Sequence, residues 1–503
     1  MIRNFLMLCV VVLTSCASPE GKGLMKTEKG TGALVTFDIH EKPLPNIPLP
    51  NDFATRFDAT SPTKKRVNAS MQAATRWERA TRHALDQLDG WGTYQSITVG
   101  FEQPLDLHNI VRRHQGDDYE PSNDAVYLIN ITPDSPDFCA RTPLDMGEGN
   151  FPIVLERPDY FDNDRNGDQL LFDDRDEDLN HNGKLDLGED LDMDGVLDKP
   201  NVLTPGDSSF KPLAFYERET NTLIMKPVMP LHERSVYAVV LTKRLVDETG
   251  RPVQSPFEYI NHTAQTKALE PLTRCLPAFG LGVEDVAFTW SYTTQSVTDD
   301  YIAIRDGLYG LGPMQRLATE YPAVITKLLT LRDELGTGAN VRIVDGDDFR
   351  VAALDLLKQL EGGTLSPTFA EVAEHHKFID YHILFQFEAP QFFRRKDSED
   401  NLLPLYEQLF DVNAQTGAAF TRSETITVWV TMPKQRPAGG GPVPVVVWGH
   451  GYTGNKLDPL FYGGFLARYG MATIGMENVS HGVGLDPIEL ELARGLLRSK
   501  GLG

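Results

Sequence analysis

The chain has 503 residues, 41% of them hydrophobic, and a formal net charge of −23. This length and composition suit two to four folded soluble domains, and no internal apolar run reaches the roughly 18–20 residues of a membrane-spanning helix. The charge excludes a nucleic-acid partner, because phosphate binding needs clustered Lys and Arg and no such cluster stands out.

The N-terminus reads as a targeting segment. Arg3 supplies the positive start, and "FLMLCVVVL", Phe5 to Leu13, is an apolar run too short to cross a bilayer. "LTSC", Leu13 to Cys16, resembles the lipobox of bacterial lipoproteins. The resemblance implies that residues 1–15 are removed and that Cys16 is lipidated. Ala17, where an Asp would retain the protein at the inner membrane, is similar to the outer-membrane sorting class. The expected location is therefore the bacterial outer membrane or cell surface, with residues 16–35 as anchor and tether and the membrane as a partner. Cys9 leaves with the signal, so Cys139 and Cys275 remain. An oxidising exported compartment allows a disulfide between them, or they are two separate buried thiols; spacing alone does not decide.

Residues 36–66 are Pro-rich and read as irregular. "SMQAATRWERATRHALDQLDG" follows as a helix capped by Ser70 and stopped near Gly90, with Met71, Ala74, Trp77, Thr81, Leu85 and Leu88 at helical spacing. From about 95 to 260 short Val/Ile/Tyr-rich runs alternate with turn residues: "SITVGFEQPLDL", "AVYLINITP", "FPIVLERP", "NTLIMKPV" and "VYAVVLTKRLVDETGRPV", the last with a hairpin turn at "DETGRPV". "LHERSVYAVVLT" resembles the late strands of bacterial Ig-like domains. Residues 36–300 are thus expected to form a β-rich domain, an Ig-like β-sandwich with one insertion.

That insertion, residues 159–198, holds fifteen acidic against three basic side chains. Such crowding of like charge is unfavourable unless cations neutralise it. "DLNHNGKLDLGE" fits the calcium-loop spacing throughout: Asp178, Asn180 and Asn182 at positions 1, 3 and 5, Gly183 at the turn, the Lys184 carbonyl at 7, Asp186 at 9 and Glu189 as the bidentate twelfth ligand. "DNDRNGDQLLFD" supplies Asp162, Asp164, Asn166, Asp168 and Asp173. A third, weaker loop starts at Asp190 and adds Asp192, Asp194, Val196 at the carbonyl position, and Asp198, but has Asn201 in the twelfth place. Oxygen-only donors disfavour zinc and copper. The loops follow one another too closely for EF-hand helices. The string resembles thrombospondin type 3 repeats and dockerin loops, which implies structural Ca2+ rather than a calcium sensor.

Residues 301–422 read as mainly helical, through "MQRLATEYPAVITKLLTLRDEL" and "DDFRVAALDLLKQLEG", after a strand at "VAFTWSYTTQS". His375, His376 and His382 in "AEHHKFIDYH" read as a solvated helix face rather than metal ligands. "SETITVWVTMPK" returns to strand. "VPVVVWGHGYTGNK" is then a buried strand running into a His-Gly turn, followed by a helix in "LDPLFYGGFLARYG" and a second strand and His-Gly turn in "MATIGMENVSHGVG". This order resembles β3, αA and β4 of the α/β-hydrolase fold, over residues 423–490. The resemblance makes the backbone at His450, Gly451, Tyr452 and Thr453 the oxyanion-loop candidate. No G-x-S-x-G nucleophile turn occurs in the 503 residues, so the nucleophile is unknown and is expected to lie past Gly503.

The lipobox, "IPLPNDF", the strand ending in "YTTQS" and the late hydrolase-type segment together resemble bacterial outer-membrane lipoprotein lipases with a virulence-factor-lipase N-terminal domain. The resemblance implies a surface-anchored esterase, lipase or lysophospholipase acting on an ester or lipid substrate. The alternative is a calcium-stabilised, non-catalytic surface adhesin or scaffold lipoprotein. The expected architecture is α+β and multidomain: the β-sandwich with its calcium insertion, the helical middle segment, and a partial α/β-hydrolase sheet at 423–503.

Overall fold

The structure is a computed structural model. It describes residues 21–42, 44–114, 121–146, 177–180, 182–190, 197, 203, 213–218, 220–330, 342–360, 366–397, 399, 401–404, 407–408, 410–451, 456 and 458–477. The targeting segment, Cys16 and "FPIVLERP" lie outside these residues. The chain divides into two compact units, Met1–Thr298 and Asp299–Gly503. Helix and strand are mixed, so the class is α+β.

The first unit opens with an antiparallel hairpin, β1 (Thr55–Phe57) and β2 (Lys65–Val67), inside the stretch expected to be irregular. Helix α1 (Arg76–Leu85) begins later than Ser70. Thr75 caps it, its hydroxyl oxygen accepting from Glu78 N at 3.0 Å, while the Glu78 carboxylate accepts from Ala74 N at 2.9 Å. A Thr-x-x-Glu pair that satisfies two donors outcompetes a lone serine. The apolar repeat of this helix does not build a core: Trp77 is 69% exposed, and the buried residue is Arg82, which reaches back to the Gln72 carbonyl.

There follow β3 (Ile97–Gly100), α2 (Leu107–His114), β4 (Val126–Asn130), β5 (Arg141–Thr142), β6 (Leu144–Asp145), β7 (Tyr216–Glu217), β8 (Thr222–Pro227), β9 (Val236–Thr242), the one-turn helices α3 (Thr266–Leu269) and α4 (Leu272–Cys275), and β10 (Val286–Thr293). They make two sheets. One runs β10-β9-β4-β5, antiparallel throughout; the other runs β3-β8-β6, with β7 also on β8. Every residue of β4 and β10 is buried. The two-residue period explains how. Val126, Leu128, Val239, Leu241, Phe288 and Trp290 face a core shared with Ile97, Val99, Leu223 and Met225 of the second sheet. Tyr127, Ile129, Ala238 and Val240 face the other way, onto Leu269, Leu272 and Leu276. The first sheet is therefore the middle of three layers, and its strands read as continuous apolar runs for that reason. A disulfide joins Cys139, after β4, to Cys275 of α4 on this second face.

The stretch expected to be a tether is docked from residue 24 onward. Leu24 N–H donates to Asn261 Oδ1 at 2.9 Å, Lys26 bridges Tyr259, and Ala33 and Val35 are buried in the shared core. The tether reading missed this because Gly, Lys and Thr carry no periodicity, whereas the docking is made by backbone pairing.

"IPLPNDF" meets the end of β10. Asp52 accepts from Thr293 N at 2.9 Å and Thr293 Oγ1 at 2.7 Å, and pairs with Lys65 Nζ at 3.0 Å; Trp290 Nε1 donates to Pro50 O at 2.8 Å. Asp52→Ala leaves the buried Thr293 donors without an acceptor and should cost about 2–3 kcal/mol. Urea unfolding measures it, and an unchanged midpoint with unchanged slope would show the clasp to be idle.

The second unit holds α5 (Asp299–Leu308), α6 (Leu317–Glu320), β11 (Lys327–Leu329), β12 (Ile343–Asp345), α7 (Gly346–Leu360), α8 (Pro367–His376), β13 (Ile379–Gln391), β14 (Arg422–Pro433), β15 (Val445–Trp448), α9 (Pro459–Ala467) and β16 (Ala472–Met476). One sheet runs β11-β13-β14-β16-β15, with β12 also on β13. The expected division at 422/423 fails here: β13 pairs with β14 from Ile379↔Pro433 to Gln391↔Arg422, so the segment read as mainly helical supplies three strands of the same sheet. The long helix expected from "MQRLATEYPAVITKLL" is only α6, because Pro322 offers no N–H and biases Tyr321 away from the helical region. β14 and β16 are antiparallel. β15 and β16 are parallel, with α9 as the crossover. Leu329, Val344, Leu384 and Trp429 make the core beneath the helices.

Candidate functional site

The crossover β15–α9–β16 depends on glycines. A Cβ on Gly464 would stand 2.7–2.9 Å from backbone atoms of His375 and His376, and one on Gly463 would stand 2.8 Å from Thr431 Oγ1. Both are buried, Gly463 against Thr431 of β14 and Gly464 against the end of α8, so α9 lies closer to that strand and that helix than a helix with ordinary side chains could. The parallel pairing of β15 with β16 sets the ends of the two strands side by side, the place where open α/β sheets bind ligands.

The ladder stops at the Trp448↔Gly475 pair, and the Gly449-His450-Gly451 turn follows. His450 has a fully buried side chain. Its Nε2 lies 3.6 Å from Glu477 Oε2, and Nδ1 lies 3.2 Å from the Gly451 carbonyl. Glu477, the first residue after β16, also accepts from Lys456 N at 3.2 Å and pairs with Lys456 Nζ at 3.2 Å. Trp448 stacks on Tyr462 of α9 at 4.5 Å between ring centres. The turn is thus tied to the next strand by a carboxylate and to the crossover helix by a ring pair, with Gly451 exposed beyond them. Tyr452, Thr453 and the second His-Gly turn lie outside the described residues. Glu477 and Lys456 were missed from the sequence. The signal available was a carboxylate one residue past a parallel strand, at the same sheet end as His450.

A second buried polar group lies on β13, two strands further along the sheet from β16. His382 is fully buried on β13, not on a helix face. Trp429 Nε1 donates to its Nδ1 at 3.1 Å, and Phe349 stacks obliquely on it with ring centres 4.4 Å apart. His376 is buried at the end of α8 with Nε2 against the Leu460 carbonyl of α9; of the three histidines only His375 is partly exposed. Burial lowers both pKa values, that of His382 to about 3. The solvated-face reading fails because the chain turns from α8 into β13 within this motif, which helical spacing could not show.

In the first unit the described part of the acidic insertion is the 178–190 loop. Asp178 and Glu189 are buried. Asp178 carboxylate oxygens accept from Asn182 N and Gly183 N, each at 2.8 Å, and Gly183 has φ +72° as the sixth position requires. The Glu189 carboxylate accepts from Asn180 N at 3.2 Å and Asp186 N at 2.9 Å, closing the loop onto its own start. Asn180 and Asn182 Nδ2 both donate to Asp186 Oδ2, at 2.8 and 2.6 Å, and hold the Asp186 carboxyl below the usual carboxylate range. Lys184 N–H donates to Asn182 Oδ1 at 2.8 Å in the same turn, and Asp190 follows. Among the described residues no three His, Cys, Asp or Glu side chains alone form a cation cage. The ring here mixes carboxylates with amides, the hard-oxygen set that a calcium loop uses. Asp162, Asp164, Asn166, Asp168, Asp173, Asp192, Asp194, Val196 and Asp198 lie outside the described residues.

Comparison with protein-family models, with curated proteins and with solved structures finds no match to this chain.

Proposed function

We propose that the protein is a lipid-anchored surface ester hydrolase. On this reading its second unit carries the oxyanion side of an α/β-hydrolase-type site, and its first unit is an Ig-like sandwich braced by calcium. The observation that carries the reading is the parallel strand–helix–strand unit with a His-Gly turn at the carboxyl end of its first strand. Main-chain amides at such a turn face the place where negative charge develops on an attacked ester carbonyl. His450, locked by Glu477 and the Gly451 carbonyl, sets the shape of the turn. Serine attack with a histidine base completes the reaction class, and these residues are not offered in a G-x-S-x-G turn within the 503 residues.

The test is turnover of p-nitrophenyl butyrate by the product of the full reading frame. Gly451→Pro, which removes one turn N–H, should lower kcat about 10²–10³-fold. A full-length product with no turnover would sink the reading. It would leave the second one, a non-catalytic calcium-stabilised adhesin or scaffold.

Ca2+ on this proposal is structural. Asp178, Asn180, Asn182, the Lys184 carbonyl, Asp186 and Glu189 would hold it, neutralising an insertion of fifteen acidic and three basic side chains.

A further inference from the structure

Helix α9 is built inside out. Its buried residues are Pro459, Gly463, Gly464 and Ala467, while Phe461, Tyr462 and Phe465, with Tyr469 just beyond its end, are 45–58% exposed. A surface helix ordinarily turns its bulky apolar side chains inward. Here the small residues pack closely, Gly463 on β14 and Gly464 on the end of α8, and the aromatics lie on the other side. They are not scattered: Phe465 lies 5.4 Å from Tyr469, Tyr462 stacks on Trp448, and Phe461 lies 6.1 Å from Phe369. An exposed apolar patch of this extent marks a binding face.

The chemistry of the face selects its occupant. Pro459–Met476 holds no Asp or Glu in a chain with 71 of them, and its one charged side chain is Arg468. Arg468 is exposed and lies beside the Tyr469 ring, at 5.9 Å. Exposed aromatic rings, those of Tyr462 and Tyr469 with polar tips, beside an exposed arginine match the headgroup level of a phospholipid surface, where such rings settle. Helix α8, which brings Phe369 to this face, also exposes Glu371 and Glu374. No helix among the described residues is long and apolar enough to cross a membrane, so contact through this face is peripheral.

We propose that the aromatic face of α9 docks the second unit onto a phospholipid surface. This rests on the lipid-anchor reading of Cys16: the anchor brings the chain to the bilayer, and the face fixes which side of the hydrolase-type unit meets the lipid.

Vesicle flotation of the full chain carrying Cys16→Ser tests the face without the acyl anchor, using phosphatidylcholine vesicles with and without phosphatidylglycerol. The Cys16→Ser chain should float. Adding Phe461→Ser, Phe465→Ser and Tyr469→Ser together should lower the bound fraction at least about tenfold, with the circular dichroism unchanged because the three side chains are exposed. Arg468→Gln should weaken binding several-fold, and only to the anionic vesicles. A Cys16→Ser chain that does not float, or a triple variant that floats as well as its parent, overturns the proposal. So does a dimer in sedimentation velocity that the triple variant dissolves, which would give the face to a second copy. Palmitate labelling of the unmutated chain reports the anchor separately: an unlabelled chain that still floats through α9 removes the anchor reading and leaves the face.

Discussion

Stripping divalent cations with EGTA should lower the melting temperature of the protein by about 5–10 °C, and millimolar calcium should restore it. An ion at about a hundredfold its Kd stabilises the folded state by about 2.7 kcal/mol, and a unit of this size shifts by about 2–4 °C per kcal/mol. The physical cause is local. Asp178, Asp186 and Glu189 converge on one loop, and two of them are buried. In this loop N–H donors meet all three carboxylates. Glu189→Ala removes the carboxylate that closes the loop onto the Asn180 and Asp186 amides. It should abolish most of the calcium-dependent shift of this loop, whatever it does to the starting temperature. Magnesium should substitute poorly, because it demands a tighter six-oxygen shell than a loop of this kind supplies. Melting curves that coincide with and without EGTA would remove calcium from the account.

Acid should destabilise the second unit between pH 6.5 and 3. His382 is neutral when folded, because the Trp429 N–H needs a lone pair on Nδ1 and burial excludes the charged ring; nearby His376 opposes the charge too. A histidine pKa lowered from about 6.5 to about 3 means that the unfolded chain binds the proton first. Stability is therefore fully present above pH 6.5 and falls as the pH drops toward 3, by up to about 1.4 kcal/mol per pH unit and about 4 kcal/mol in all. His376 acts in the same direction, lowered by burial with Arg350 and His375 adding, against the Leu460 carbonyl that favours the proton. Urea midpoints measured across this range give the slope. His382→Gln keeps an acceptor for Trp429 and removes the titration, so the slope should flatten by about one proton. An unaltered slope would place the acid sensitivity elsewhere, for instance at His114 of the first unit, whose pKa burial lowers to about 4.

The middle sheet of the first unit was legible because β4 and β9 are Val/Ile/Leu/Tyr runs and β10 is rich in aromatic and β-branched residues. What covers their second face was not, since "TKAL" and "LTRC" are single turns too short for a period to register. Strand β13 was hidden by its neighbours: "EHH" ends a helix and "KFIDYH" starts a strand, with no Gly or Pro between them. The tether reading failed for the opposite reason, since backbone pairing leaves little mark on composition. Of the crossover, β15, α9 and β16 were readable as elements from apolar runs and glycine stops. The expectation that β15 is buried fails: it ends the strand order, paired on one side by β16, and Val445 and Val447 are 51% and 64% exposed. The partners that fix His450 were not readable, because Glu477 is 27 residues away in sequence and only the parallel pairing brings it near.

The clasp between Asp52 and Thr293 has a consequence for biosynthesis. Its two halves are 241 residues apart, and the Trp290–Pro50 bond spans 240. The opening segment cannot take its final place until β10 has been made, an interval of about 10–50 s at ordinary translation rates. During that time Pro50 and Asp52 lack their β10 partners. Closure then proceeds as one late, slow event governed by distant contacts.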